Sequence, residues 1–471
     1  MNPRIFRMLV ALHVAGCGGS DGRSTSTAGS GSSSETGRNS TGSSSGVSGS
    51  ASGATSGASS GDSNAASGVA STGAATSGSS TGAGGPSSGA SSAGSADSGG
   101  TSGGGSGAAS SGSSGGGSAA GNADGGRCAD ACPAPKAGIA FGCEKRFLLG
   151  VNYAWKNWVA DFGGVAARGG VSGNQAAIKA DLQDMKSQGV DVIRWWMLQQ
   201  LSGDAVTFDS NGNPTGAGGT LVADIQAALD LAAQGGVHYN LTLFSFDDFK
   251  ASSTVAGATL HGMSPIATDA TKRAALMGVV KTIAQTVEAS PHKDRVVSWD
   301  VINEPEWVIT GSDPYGDPAF STNTKYEAVT FAQMETFVAD VVQTLHANSS
   351  ALATVGGAAI KWAQAWTHVG IDYYTFHMYD WVNRYYPYDK SLASYGVTGK
   401  PAVLGEFPLA GLAAVNGKPA VALGTMLGVL MNTGYAGAMP WARDDTCCGN
   451  WATTKGDIGA FAMANPCATH F

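Results

Sequence analysis

The chain has 471 residues and a modest formal net charge of −8, with acidic and basic residues dispersed along it. That balance argues against a nucleic-acid partner, whose phosphates need clustered Lys and Arg, and it makes a neutral or basic polymer easier to accommodate than an acidic one. No apolar run approaches the length that spans a bilayer, and 34 of the 70 glycines are concentrated in the first 126 residues, so the average composition hides two unlike segments joined near residue 127.

Residues 1–17 carry Arg4 and Arg7 ahead of a short apolar run, the order of an export signal. The run closes on Val14-Ala15-Gly16-Cys17, which resembles the lipobox of bacterial lipoproteins. The resemblance implies cleavage before Cys17, lipidation of that cysteine, and a cell-surface or outer-membrane lipoprotein. A chance cysteine at an irregular start, with secretion in place of anchoring, is the alternative. Residues 18–126 are almost entirely Gly, Ser, Ala and Thr, with too little hydrophobic surface to offset ordering entropy. A disordered tether is expected there, with a root-mean-square span of roughly 55–60 Å.

Residues 127–471 hold nearly all the Trp, Tyr and Phe and are long enough for one folded domain with a sizeable core. Cys128, Cys132, Cys143, Cys447, Cys448 and Cys467 form an even set at its two ends. That argues for three disulfides in an oxidising compartment and leaves the pairing open. The Cys-x-x-x-Cys of Cys128 and Cys132 has no matching pair at zinc-finger spacing, so no structural metal is expected.

Within this domain short β-rich runs alternate with amphipathic stretches, the pattern of a parallel sheet joined by helical crossovers. Strands are predicted at residues 147–155, 190–198, 237–246, 296–302, 352–358, 373–379, 402–406 and 435–441. Between them Ile178, Leu182 and Met185 recur at helical spacing before Gly189. Leu276, Val279, Val280, Ile283 and Val287 do so before Ser290-Pro291, and Met334, Phe337, Val338, Val341 and Leu345 make a third apolar face. The fifth and sixth crossovers are shorter and less regular. Eight strands suit a (β/α)8 TIM barrel; a doubly wound open sheet is the rival, but no Gly-x-Gly-x-x-Gly turn follows the first strand.

A β/α barrel presents its catalytic groups at the C-terminal ends of the strands. The polar and aromatic residues predicted there are Asn152 and Trp155, Arg194, Asn303 and Glu304, His377 and Tyr379, Glu406, and Trp441. Hydrolysis of a glycoside needs one carboxyl group to protonate the departing oxygen and a second to attack, or to activate water against, the anomeric carbon. Glu304 and Glu406 end two different β-rich runs and are the candidates. The competing explanation, ordinary rim charges partnered by Arg194, does not account for their aromatic and amide neighbours.

The stretch Trp299-Asp300-Val301-Ile302-Asn303-Glu304-Pro305 resembles the fourth strand of clan A glycoside hydrolases, family 5 above all. Leu404-Gly405-Glu406-Phe407 resembles the strand-7 nucleophile of that family, Thr375-Phe376-His377-Met378-Tyr379 its strand-6 His-x-Tyr element, and Trp441 its strand-8 platform. The resemblance covers residues 147–443. It implies a retaining enzyme in which Glu304 is the acid/base and Glu406 the nucleophile, with Arg194 and Tyr379 holding Glu406 ionised, Asn303 donating to the sugar 2-hydroxyl and His377 positioning the acid/base or the sugar. Asn152 joins the substrate-binding candidates. Trp441 offers a face for stacking on a pyranose, and Trp155, Trp195, Trp196, Trp307 and Trp381 are further candidates, although adjacent Trp195 and Trp196 point to opposite faces of a strand.

Many family 5 cellulases end strand 3 on a histidine where this chain reads Phe244-Ser245-Phe246-Asp247-Asp248. Its absence, with the Thr-Phe-His-Met-Tyr form of strand 6, looks more like the β-mannanases. The reaction needs no cofactor, the substrate is a β-1,4-linked polysaccharide or oligosaccharide, and a monomer is expected, meeting the membrane only through Cys17. A carbohydrate-binding surface protein that keeps the cleft without turnover is the alternative, and the presence of both carboxylates argues against it. A metal-dependent barrel hydrolase is disfavoured because no His-x-His ends a strand.

Overall fold

The apolar runs fold as read: in the computed structural model eight parallel strands close into a barrel in sequence order. They are β1 Leu148–Asn152, β2 Val192–Trp196, β3 His238–Ser245, β4 Val296–Asn303, β5 Leu352–Gly357, β6 Tyr374–His377, β7 Ala402–Glu406 and β8 Gly437–Ala438. Seven lie inside a predicted run, and β4 runs one residue past its predicted end at 302. The structure describes residues 135–141, 144–165, 168–201, 204–255, 258–314, 319–414 and 417–470. Cys17, the tether at 18–126, and Cys128, Cys132 and Cys143 therefore lie outside the described residues. Cys447 and Cys467 sit in disulfides. Burial pushes the pKa of Cys448 up to about 12, and its sulfur lies 2.9 Å from that of Cys447.

Strands of a parallel barrel are covered on both faces and so read as near-continuous apolar runs; every residue of β1, β2, β3, β4 and β7 is buried. Leu149, Val151, Ile193 and Trp195 face the surrounding helices. Leu148, Val192, Val297, Tyr373, Val403 and Met439 fill the barrel floor, joined by Ile139 of a short hairpin, Ile139–Phe141 paired with Glu144–Arg146. Above them the interior turns polar: Asn240 donates to Ser298 (2.7 Å), which bonds the Tyr373 hydroxyl (2.7 Å). The interior is thus a packed stack, and only its upper end is available for chemistry.

Helix α1, Gln175–Ser187, buries Ile178, Leu182 and Met185, and the chain leaves it through Gly189 at φ +74. An added Cβ there meets Ala462 as well as adopting a left-handed backbone. Helix α2 is Leu221–Gly235. Helix α3, Ala270–Glu288, is capped by Asp269 accepting from Lys272 N, and α4, Phe331–Asn348, opens on a Thr330–Gln333 capping box. Both bury the predicted apolar faces, each full Leu or Ile burial contributing roughly 1.5–3 kcal/mol. The fifth crossover has only a 3-10 stretch, Ile360–Trp366, and the sixth a short α5, Asp380–Tyr385; α6 is Leu423–Thr433 and α7 Trp451–Ala464. Among the described residues no helix is long and apolar enough to cross a membrane.

Candidate active site

Both glutamates stand at the upper rim. Glu406 is the last residue of β7. Glu304 is the first residue beyond β4, in the left-handed region (φ 50, ψ 49), where it caps a 3-10 turn, Pro305–Val308. Its N–H donates to Gly356 O on β5 (2.6 Å). Glu304, His377 and Glu406 converge: one carboxylate oxygen of each glutamate and one ring nitrogen all lie within 4.8 Å of one another.

Behind the pair, Arg194 of β2 is fully buried. A guanidinium survives there only if its donors are satisfied, and they are: Nε and Nη2 donate to Asp300 Oδ2 (2.9 and 2.7 Å), Nη1 to Asn152 Oδ1 (2.9 Å) and Glu406 Oε1 (2.6 Å), and Nη2 also to Asn303 Oδ1 (2.8 Å). Burial works against the Arg194 charge, but the Asp300 and Glu406 carboxylates outweigh it and raise its pKa. Asn152 is equally buried, and its Nδ2 donates to Gly405 O and Met439 O (both 2.9 Å). Arg194 and Asn152, expected among the substrate contacts, therefore brace the β7 end that carries Glu406 from inside the barrel. Asn303 has its oxygen held by Arg194, which leaves Nδ2 as the donor it can present.

The two carboxyl groups sit in unequal surroundings. Burial pushes Glu304 up to about 7; a hydrogen bond from Trp307 and the Arg194 charge oppose the shift, and Asp247 adds to it. Burial raises Glu406 too, with the Glu304 charge adding to it, but there His377, Arg194 and a hydrogen bond from Tyr379 pull the other way. The donors themselves are close: Trp307 Nε1 to Glu304 Oε2 (2.8 Å) and Tyr379 Oη to Glu406 Oε2 (2.8 Å). His377 Nδ1 lies 2.8 Å from Glu304 Oε1 and 3.6 Å from Glu406 Oε2. Burial lowers its pKa to about 4 against the pull of Glu406, so the ring is neutral near pH 7. Gly405 makes room for it, since a Cβ there comes within 3.2 Å of His377 Cδ2 and Nε2.

The cluster of two carboxylates and a histidine is also the one group among the described residues whose spacing suits a metal ion. Its chemistry fits a cation poorly. All four carboxylate oxygens have a partner in Arg194, Tyr379, Trp307 or His377, and the guanidinium already supplies the positive charge a cation would bring.

Aromatic rings flank the pair on both sides. Trp441, just past β8 and followed by a cis peptide to Ala442, packs against Trp196 (5.6 Å between centroids) and Trp155 (6.0 Å), and donates Nε1 to Asp445 (3.0 Å). Trp196 faces inward, with the Arg194 Cζ 5.6 Å from its ring. Trp195 faces the helices and donates to Asp161 (2.9 Å), so of this neighbouring pair only Trp196 is placed toward the cleft. On the Glu304 side stand Trp307 and Trp381, 5.8 Å apart.

Asp300 and the bonding role of Trp307 were not singled out from sequence. Asp300 carried a signal: an acidic residue in mid-strand, in phase with inward-facing Ser298, requires a buried cation at its level. Trp307 stands three residues past Glu304, the spacing that brings side chains together in a 3-10 turn. Asp247, where the strand-3 histidine is missing, accepts from the Tyr326 hydroxyl (2.8 Å) and pairs with Lys250 (2.9 Å).

No family model matches the chain. It is similar to a mannan endo-1,4-beta-mannosidase of Mytilus edulis, 24% identical over 338 residues, which span 64% of this chain and 85% of the relative. A mannan endo-1,4-beta-mannosidase of Cryptopygus antarcticus is 24% identical over 349 residues, 65% of this chain and 83% of the relative. The crystal structure of the beta-1,4-D-mannanase from Cryptopygus antarcticus superposes with a TM-score of 0.57 at 22% identity, over 70% of this chain and 93% of that one. These likenesses bear out the barrel and the resemblance drawn from the strand-end motifs.

Proposed function

We propose that this chain, a family 5-like glycoside hydrolase of clan A, cleaves β-1,4-linked mannan at internal bonds by a retaining double displacement. The observation that carries the mechanism is the pair itself: oxygens of Glu304 and Glu406 within 4.8 Å, in surroundings that treat the two unequally. Retaining enzymes hold their carboxyl groups about 5–5.5 Å apart, too close for an intervening water, whereas inverting enzymes hold them about 6.5–9.5 Å apart. With its pKa near 7 Glu304 keeps a proton for the departing oxygen, and Glu406, braced by Arg194 and Tyr379, attacks the anomeric carbon. Glu304, now a carboxylate, then removes a proton from the water that releases the sugar. Trp441 offers a ring face for stacking, and the Asn303 amide a donor to the 2-hydroxyl, a bond that strengthens as charge develops.

Mannan as substrate is supported by the names of the two relatives and by the missing strand-3 histidine. The test assays the full chain on mannan, cellulose, xylan and mixed-linkage glucan, and follows the first-formed anomer by NMR. Release of short mannan oligomers with initial β configuration is expected. The α anomer appearing first makes Glu406 a base acting through water, and preference for another polymer withdraws the mannanase assignment. From the sequence we also propose export, with Cys17 as a lipid anchor and residues 18–126 as the spacer that carries the barrel away from the membrane.

A further inference from the structure

The mechanism uses two carboxyl groups, yet a third lies two residues beyond the acid/base. Glu306 has no exposed surface, and burying an ionisable group carries a penalty of several kcal/mol unless specific bonds offset it. Two do. Ala358 N donates to Glu306 Oε2 (2.9 Å) and Trp366 Nε1 donates to Glu306 Oε1 (2.8 Å). Both donors belong to the chain leaving β5, and that chain is shaped for the carboxyl group: a Cβ at Gly357 comes 3.1 Å from Glu306 Oε1. The same exit holds Glu304, whose N–H donates to Gly356 O (2.6 Å). Residues 304 and 306 are thus fastened to residues 356 and 358, one through its backbone and the other through its side chain.

Such fastening is needed because Glu304 occupies a left-handed backbone, φ 50 and ψ 49, which for a residue other than glycine is strained and persists only where its surroundings over-determine it. Pro305 fixes one dihedral of the turn but supplies no N–H. Trp307 holds the Glu304 carboxyl, although it is itself carried on the same turn. The Trp307 ring also packs against Trp362 and Trp381, but it is the Glu306 side chain that accepts hydrogen bonds from a different strand exit.

We propose that Glu306 is a positioning residue for the acid/base: by anchoring the 305–308 turn to Ala358 and Trp366 it holds the strained Glu304 backbone, and with it the proton, at the departing oxygen. The inference rests on the reading of Glu304 as the acid. It concerns proton delivery alone, so its loss should mimic partial loss of the acid rather than loss of fold. A displacement of about 1 Å at a reacting group is enough to lower a rate about 100-fold.

The experiment compares the full chain with Glu306→Gln and Glu304→Ala on mannan and on aryl β-mannobiosides whose leaving groups range from dinitrophenyl to phenyl, reading kcat/KM, which reports the first bond cleavage. Glu306→Gln is expected to lose about 10- to 100-fold on mannan and the phenyl substrate and less than about 3-fold on the dinitrophenyl one, which leaves without a proton. Glu304→Ala should show the same slope more steeply. A Glu306→Gln loss that is equal across the series, or absent, while Glu304→Ala keeps its slope, overturns the positioning role and leaves the acid assignment standing. A flat series for Glu304→Ala overturns the acid assignment, and the inference with it. Should Glu306→Gln not fold, Trp366→Phe removes one of the two donors and is expected to give the same graded pattern at several-fold scale; a flat series there overturns the inference equally.

Discussion

Replacing Arg194 by Met tests the electrostatic frame of the site, because methionine nearly preserves the stem volume while deleting five donors at once. In the native chain those donors reach Asp300, Asn152, Asn303 and Glu406, and neither the guanidinium nor Asp300 has any exposed side-chain surface. Removing one partner of a buried ion pair leaves the other charge uncompensated and destabilises by about 3–5 kcal/mol. A folded part of roughly 340 residues has an unfolding entropy of about 0.7 kcal/mol per degree, so the melting temperature should fall by about 4–7 °C. The pH dependence has a definite sign. Burial already raises Glu406, and Arg194 is one of the charges holding it down, so without the cation its folded pKa rises further. A group with a raised folded pKa contributes stability that is present at low pH and lost as pH climbs through that value. The deficit of Arg194→Met should therefore widen as pH rises above the ordinary carboxylate range. Differential scanning calorimetry of both proteins at several pH values reads it. A shift under about 1 °C, or a deficit that does not change with pH, shows that Arg194 is not the charge that balances this pair.

Glu304, with its pKa near 7, must be protonated to act as the acid, so kcat/KM on mannan should fall as pH rises through about 7; in Glu304→Ala, assayed on a dinitrophenyl mannobioside, that limb should be gone. His377 is held neutral with a pKa of about 4, against about 6.5 for an unfolded histidine. Its depressed value means that stability is lost as pH falls from about 6.5 toward 4, and thermal melts of His377→Gln should show a shallower acid slope than those of the native chain. A Gly/Ser spacer supplies reach and no contacts, so deleting residues 18–126 should leave turnover of a soluble oligosaccharide unchanged, whereas Cys17→Ser should move the protein from the membrane fraction to the soluble one.

The barrel was legible because each strand is covered on both faces and each long helix carries one apolar stripe, so period and punctuation both survive in the sequence. The fifth crossover did not show a clear period because it contains no α-helix, only the 3-10 stretch at Ile360–Trp366. The candidate site was legible at Glu304 and Glu406, which stand at the ends of apolar runs where a packed core has no use for a carboxylate. Depth was harder to read. Asn152 also ends such a run and Arg194 interrupts one, and nothing along the chain distinguishes a polar group that looks out of the barrel from one that looks down into it. That distinction is made by Asp300, whose carboxylate, 106 residues away in sequence and two strands away in the barrel, draws the guanidinium inward.

Glu306 illustrates the same difficulty from the other side. In sequence it is one more acidic residue beside an active-site motif, and only the convergence of Ala358 and Trp366 on it, both supplied by the exit from β5, separates it from a solvated rim charge. Two such cases, Asp300 below Glu406 and Glu306 beside Glu304, have a common cause. Placing a reactive carboxyl group to within a fraction of an ångström requires partners on other strands, and partners on other strands are what a linear reading has least access to. Candidate reacting groups are therefore easier to find than the residues that hold them in place, and substitutions at the latter should show in the leaving-group and pH dependence of the rate before they show in the fold.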